Sequence, residues 1–329
     1  MTGQSIREKY PRFDWVAEWD KTPPAEEWYA YPIAPKGAQG RLVSLASQAK
    51  VGKSLLVLEM AACIVTGKPF LGRDTMYGKI LYIDFENTMY GDILPRLKDM
   101  GYIKGEIDSQ IDYLSLPALP PLDSPQGARE FLEILDHYKP NIVIIDTLSR
   151  VTNGEENSAD TYRAMYSLAF QKAKSLGITI IRLDHTGKDI DRGARGSSAK
   201  EGDGDLNLIL KKDKDSPNTI DLIIQSTRMK MEEETLHIRR EKNPLRHTQC
   251  LSQREEEYQW KEKEANRIWD EEGCTAKTSQ NKARDTIRKS GLSAADAKIK
   301  EWWKRRKARE VEQESANEKP PEPPDTLNV

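Results

Sequence analysis

Long apolar runs are missing from this chain: no stretch of its 329 residues approaches the roughly 18 consecutive apolar residues of a membrane span, so no membrane protein or membrane partner is expected. The opening MTGQSIREKYPRFDW lacks the basic start and apolar run of a secretory leader. Cysteine is scarce. Cys63, Cys250 and Cys274 lie far apart and supply neither a disulfide framework nor a CxxC metal pair, which makes a reducing cytoplasm the expected setting. Charge of one sign is not in excess either. With 51 basic against 53 acidic residues the net charge is -2, so a case for a polyanionic partner must rest on where charges cluster. No internal repeat is visible.

What is present is a mixture of 37% hydrophobic and 32% charged residues, the composition of a soluble protein with a highly charged surface. The length leaves room for one sizeable α/β domain and a smaller appendage. Residues 1–30 hold tryptophans and prolines without periodicity and read as an irregular arm. From 31 to 240 short apolar runs alternate with helical patterns. RLVSLA (41–46), KILYID (79–84), NIVIID (141–146) and GITIIRLD (177–184) are predicted strands, and helices are predicted over 53–65, before Tyr138, and over 159–176. Such alternation predicts crossover units and a parallel sheet covered on both faces. LNLIL (206–210) and TIDLIIQS (219–226) flank KKDKDSPN, a hairpin turn by composition, so the sheet should end antiparallel. Residues 241–276 read as a charged helical connector, 277–310 as a basic helix-turn-helix-like region, and 311–329 as a disordered tail.

The segment Ser47, Gln48, Ala49, Lys50, Val51, Gly52, Lys53, Ser54, Leu55 sits between a predicted strand and a predicted helix, the context a phosphate-binding P-loop requires. Backbone N–H groups would wrap the phosphates of ATP, Lys53 would reach the outer ones, and the Ser54 hydroxyl would ligate Mg²⁺. Its first position is Ser47 where the motif has glycine; a side chain there disfavours positive φ and predicts an altered loop entry. Lys50 could touch phosphate or stay solvated. Asp146 closes an apolar β-forming run and is placed to hold Mg²⁺ through water. Thr147, not an acid, follows it, so the general base must come from elsewhere. Glu86 in LYIDFEN is the candidate, with Asp84 as its rival. His185, just past the fourth predicted strand, is placed to sense the γ-phosphate.

Together AKVGKSLL, LYIDFEN, IIDTLSR, GEENSAD and LDHTGKD followed by RGSSAKEGDGD resemble the RecA-like ATPases of phages and plasmids related to the hexameric RepA replicative helicase, over about residues 28–240. The resemblance implies a RecA fold, Glu86 as the base and His185 as the histidine after the fourth strand. It also implies a homo-oligomeric ring, by preference a hexamer, with ATP between subunits. An arginine reaching the neighbour's γ-phosphate would be Arg228, with Lys230 beside it as the other choice. Replication proteins would be further partners.

The loop 187–205 is glycine-rich and carries Lys188, Arg192, Arg195 and Lys200. Read from its residues alone it is a flexible lid; by resemblance it is the loop that grips single-stranded DNA. The segment 277–309 holds twelve Lys or Arg against three acids. Its second predicted helix, with Ser293 as N-cap, includes Lys304, Arg305 and Arg306 and could make roughly six phosphate contacts. The expected function is a ring-forming, DNA-dependent ATPase, a replicative helicase of a phage or mobile element. A strand-exchange recombinase and an ATP-switched DNA-binding regulator stay open.

Overall fold

A computed structural model describes residues 12, 14–21, 25–107, 110–154, 158–186, 204–213, 216 and 218–317. They fall into two compact units divided after Cys250.

In the first unit β1 (Glu27–Ala30), inside the segment expected to be irregular, pairs antiparallel with β2 (Ala34–Lys36). A larger sheet follows, and its first strand, β3 (Leu42–Ser47), feeds helix α1 (Lys53–Thr66). Next come β4 (Ile80–Asp84), β5 (Ile111–Ser115), helix α2 (Pro125–Tyr138) and β6 (Ile142–Asp146). Helix α3 runs in three consecutive segments, Ala159–Met165, Tyr166–Phe170 and Gln171–Ser175, into β7 (Thr179–His185). The sheet is completed by β8 (Leu206–Lys212), β9 (Thr219–Thr227), β10 (Thr235–Lys242) and β11 (Leu245–Cys250). Its order is β11-β10-β9-β8-β3-β7-β6-β4-β5. Neighbours from β8 through β5 are parallel, and β8 to β11 are joined antiparallel.

The central strands are buried on both faces because successive side chains of a strand point to opposite sides. In β6, Ile142 and Ile144 enter one core, together with Leu56, Met60 and Ile64 of α1. Val143 and Ile145 enter the other, with Phe131 of α2 and Phe170 of α3. Each such fully buried side chain contributes roughly 1.5–3 kcal/mol of apolar transfer energy. Helix α2 starts at its Ser124 N-cap, whose hydroxyl accepts the Gly127 N–H at 3.1 Å, with Pro125 at the first helical position.

The second unit packs three helices, α4 (Gln253–Glu271), α5 (Gln280–Ser290) and α6 (Asp296–Asn317), around Trp269, Trp302, Trp303, Ile287 and Ile299. Trp269 donates its indole N–H to the Ala283 carbonyl at 2.9 Å and meets Trp303 edge to face at 4.8 Å. Ser252 and Glu255 close a capping box at the start of α4.

Several expectations change here. The strand β5 had not been anticipated. The supposed connector 241–276 divides between the end of the sheet and α4, because charged Arg239, Glu241 and Lys242 are exposed side chains of β10 while Leu236 and Ile238 of the same strand fill the core. Ser293 is not the cap of α6: that helix begins at Asp296, and the Ala295 carbonyl accepts its first bond, from Ile299. The helix also continues to Asn317, past the expected start of the tail, since EVEQESA is rich in good helix formers. No described helix is long and apolar enough to cross a membrane.

Candidate nucleotide and metal site

Parallel strands deliver their C-terminal ends to one edge, and the chain places its polar residues there. Ser47 lies beside His185 in register, and Asp84 beside Asp146. Between β3 and α1 the backbone takes positive φ at Lys50 (63°) and Gly52 (116°), curling the loop so that its amides and the start of a 14-residue helix face one space. Ser47 needs no such conformation: it is the last, fully buried residue of β3, and its hydroxyl donates to the Gln48 carbonyl at 2.8 Å. The loop entry is therefore strand, and the strain expected of a non-glycine residue falls on Lys50 instead.

The cleft above this loop measures about 330 Å³. Ser47, Gln48, Lys50, Val51, Gly52, Lys53, Ser54 and Leu55 line it from the loop, and Glu86 and His185 from the neighbouring strands. Ala49, at the exposed tip, does not. Lys53 is buried, and desolvation lowers its pKa against the pull of Asp146, Asp184 and Glu86. The buried Lys53 Nζ, attracted by three carboxylates, is placed where an outer phosphate would lie. Behind it, buried Asp184 pairs with Arg182 at 3.4 Å and accepts the Ser44 hydroxyl at 3.1 Å.

Asp146 is 1% exposed, and burial raises its pKa to about 6 even though Ser54 and Tyr82 hydrogen-bond it and Lys53 attracts its charge. The Tyr82 hydroxyl donates to Oδ2 at 3.1 Å. A serine hydroxyl and a dehydrated carboxylate held together beside a phosphate loop fit Mg²⁺, which takes one or two protein oxygens and completes its shell with phosphate and water. Among the described residues no cluster of three or more His, Cys, Asp or Glu could hold a metal alone, which agrees with that shared mode.

The two rival acids have different surroundings. Asp84 is fully buried; its carboxylate accepts the Glu86 N–H at 2.9 Å, the Asn87 N–H at 2.8 Å and the Tyr113 hydroxyl at 2.9 Å. Its acceptor capacity is spent on folding the loop that carries Glu86. Glu86 itself faces the cleft, with Oε1 3.6 Å from His185 Nε2 and 3.8 Å from Arg150 Nε.

Arg228 does not join this group. It follows β9, 60% exposed, with its guanidinium 3.6 Å from Asp205, and Lys230 is exposed beside it. Lys188, Arg192, Arg195 and Lys200 lie outside the described residues. In the second unit Arg305 and Arg306 are held in ion pairs, Arg305 with Glu262 and Glu301, Arg306 with Asp270 and Glu310, whereas Lys304 is exposed and has no acidic partner among the described residues. Reasoning from sequence missed Asn87, Arg96 and Arg240, which line the cleft. Asn87 adjoins the acidic motif and was within reach. Arg240 carries no local signal: only the sheet topology brings β10 round so that its guanidinium stands 3.7 Å from where a Cβ on Gly52 would be.

A parallel sheet ending antiparallel, a phosphate loop on β3, and a hydrogen-bonded Ser54–Asp146 pair near Glu86 define a P-loop ATPase with a RecA-like core. Residues 6–191 match the AAA_25 family model, an AAA domain, and because that match spans more than half of the chain, the protein belongs to this family. Among solved structures the chain is similar to one titled "ATPase Domain of G40P", at 15% identity over 64% of this chain and 85% of that one, with a TM-score of 0.48. No curated protein matches the sequence.

Proposed function

We propose that the protein is a ring-forming, single-stranded-DNA-dependent motor that hydrolyses Mg-ATP, a replicative helicase of a phage or mobile element working as a hexamer in the cytoplasm with other replication proteins. One observation carries the reading: Glu86, the base candidate, stands 3.6 Å from His185, and His185 lies two residues before the segment 187–203, which is basic in its middle through Arg192, Arg195 and Lys200. Loss of the γ-phosphate beside Glu86 would thus be felt at the root of that segment, where Lys188, Arg192, Arg195 and Lys200 would hold a DNA backbone. Lys53, Ser54 and Asp146 bind Mg-ATP, and Glu86 orients the water. The exposure of Arg228, away from its own cleft, supports its use on a neighbour's nucleotide.

The test is ATP turnover with and without single-stranded DNA, alongside native mass in both states. DNA-stimulated hydrolysis by a ring together with unwinding supports the motor. Strand pairing without unwinding would make it a recombinase, and binding without turnover an ATP-switched regulator. Glu86→Gln keeps the shape and removes the proton acceptor, so kcat should fall about 100-fold or more while nucleotide still binds. Normal turnover in that variant would transfer the role to Asp84.

A further inference from the structure

Some cations of α6 are held in ion pairs, Lys298 with Glu301 at 3.2 Å and all three arginines. Its arginines are engaged within the unit: Arg305 and Arg309 reach Glu262, and Arg306 reaches Asp270, all on α4. Lys300, Lys304 and Lys307 have no acidic side chain within ion-pair distance among the described residues. They recur at i, i+4 and i+7, and so share one helix face. With Gln280 of α5 and the edge of Trp303 they line a groove of about 560 Å³, and Lys307 Nζ stands 5.6 Å from the Trp303 ring. Glu301 also borders the groove, but its carboxylate is taken by Lys298 at 3.2 Å and Arg305 at 2.5 Å.

Three ammonium groups held together without counter-charge repel one another, and a polyanion relieves that repulsion. The outer two lie about 10 Å apart along the helix axis, close to three of the ~3.4 Å axial steps between phosphates on one DNA strand, so the face can meet two or three phosphates of one stretch of backbone. Lysine suits this contact, since an ammonium is a point charge that reads no base pattern. Single-strand binders add exposed aromatic rings on which bases stack; the aromatic ring lining this groove, Trp303, is 2% exposed and is spent with Trp302 on the unit's own core, and the exposed Trp260 of α4 is not among the lining residues. We infer that the Lys300–Lys304–Lys307 face of α6 docks the chain, without sequence preference, on the phosphate backbone of duplex DNA. This contact is separate from the single-strand grip of the motor, and is made whether or not nucleotide is bound.

The test compares the full chain with the K300Q/K304Q/K307Q variant for binding a blunt 30-base-pair duplex and a dT30 strand, by fluorescence anisotropy over a salt series without nucleotide. Glutamine keeps helix propensity, and circular dichroism checks the fold. K98Q/K104Q/K242Q, which changes net charge equally on exposed lysines of the first unit, is the control. Duplex affinity at 0.1 M salt should fall about tenfold or more, and the slope of log K against log salt should flatten by about 2–3, only in the α6 variant. Equal losses in the control, an unaltered slope, or a loss confined to dT30 would overturn the inference. Absent turnover in the wild type would remove the motor reading and leave this one standing.

Discussion

Two buried carboxylates at the end of neighbouring strands do opposite work, and their hydrogen bonds decide which does what. Asp84 is saturated by donors and stabilises its loop, whereas Asp146 is held at an energetic disadvantage: the rise of its pKa from 3.8 to about 6 corresponds to about 3 kcal/mol of ionisation cost. A carboxyl whose folded pKa is raised supports folding while protonated. That contribution is present in full below about pH 4 and is lost as pH rises through about 6. Asp146→Asn should therefore be more stable than the wild type at pH 8 without nucleotide, by on the order of 1–3 kcal/mol, towards the lower end because the amide offers one acceptor to the Ser54 and Tyr82 hydroxyls. The gap should narrow as pH falls through about 6 and close only below about pH 4, and Mg-ATP should stabilise the variant far less. Thermal melts across pH check this, and a variant no more stable at pH 8 would refute it. At this scale the sequence was legible wherever a residue sat at the end of an apolar strand, as Asp146, Asp84 and His185 do. Arg240 was not, because its partners in the cleft come from positions far away in the chain.

Among the elements, the central strands announced themselves through runs of β-branched residues buried on both faces. The edges did not. In β5, IDYLS mixes polar and apolar side chains that are mostly half-buried, and β10 and β11 carry alternating charges because one face meets water. What fixes β11 is a single buried pair. His247 donates its backbone N–H to both Glu59 oxygens, at 3.2 and 3.0 Å, and its ring Nδ1 lies 2.5 Å from Oε2. Glu59 lies on α1, so this contact ties the far edge of the sheet to the helix that begins at the phosphate loop. Glu59→Ala leaves the His247 backbone donor and ring buried without an acceptor and should cost about 3 kcal/mol or more. Glu59→Gln, which keeps an acceptor, should cost less. Denaturant unfolding measures both, and equal costs would mean that the loss arises from packing alone.

For the whole molecule, composition signalled that the chain changes character near residue 240 but could not place the change, because charge rises in β10 before the sheet has ended. The observed division after Cys250 leaves each unit its own core: Phe131, Ile144 and Leu45 belong to the first, Trp269, Trp302 and Trp303 to the second. A chain of residues 1–250 should consequently fold and bind Mg-ATP with a Kd within about threefold of the full chain, as expected for a unit with an independent core. Ending instead at 276, the expected end of the charged connector, keeps α4 but removes α5 and α6. That cut strips the cover from Ala265, Ile268 and Trp269, which are buried in the intact unit. Exposing a helix face of that kind promotes association, so the longer piece should be the less soluble of the two. Size-exclusion chromatography of the two truncations decides the matter: a monodisperse 1–276 fragment beside an aggregating 1–250 fragment would reverse the boundary.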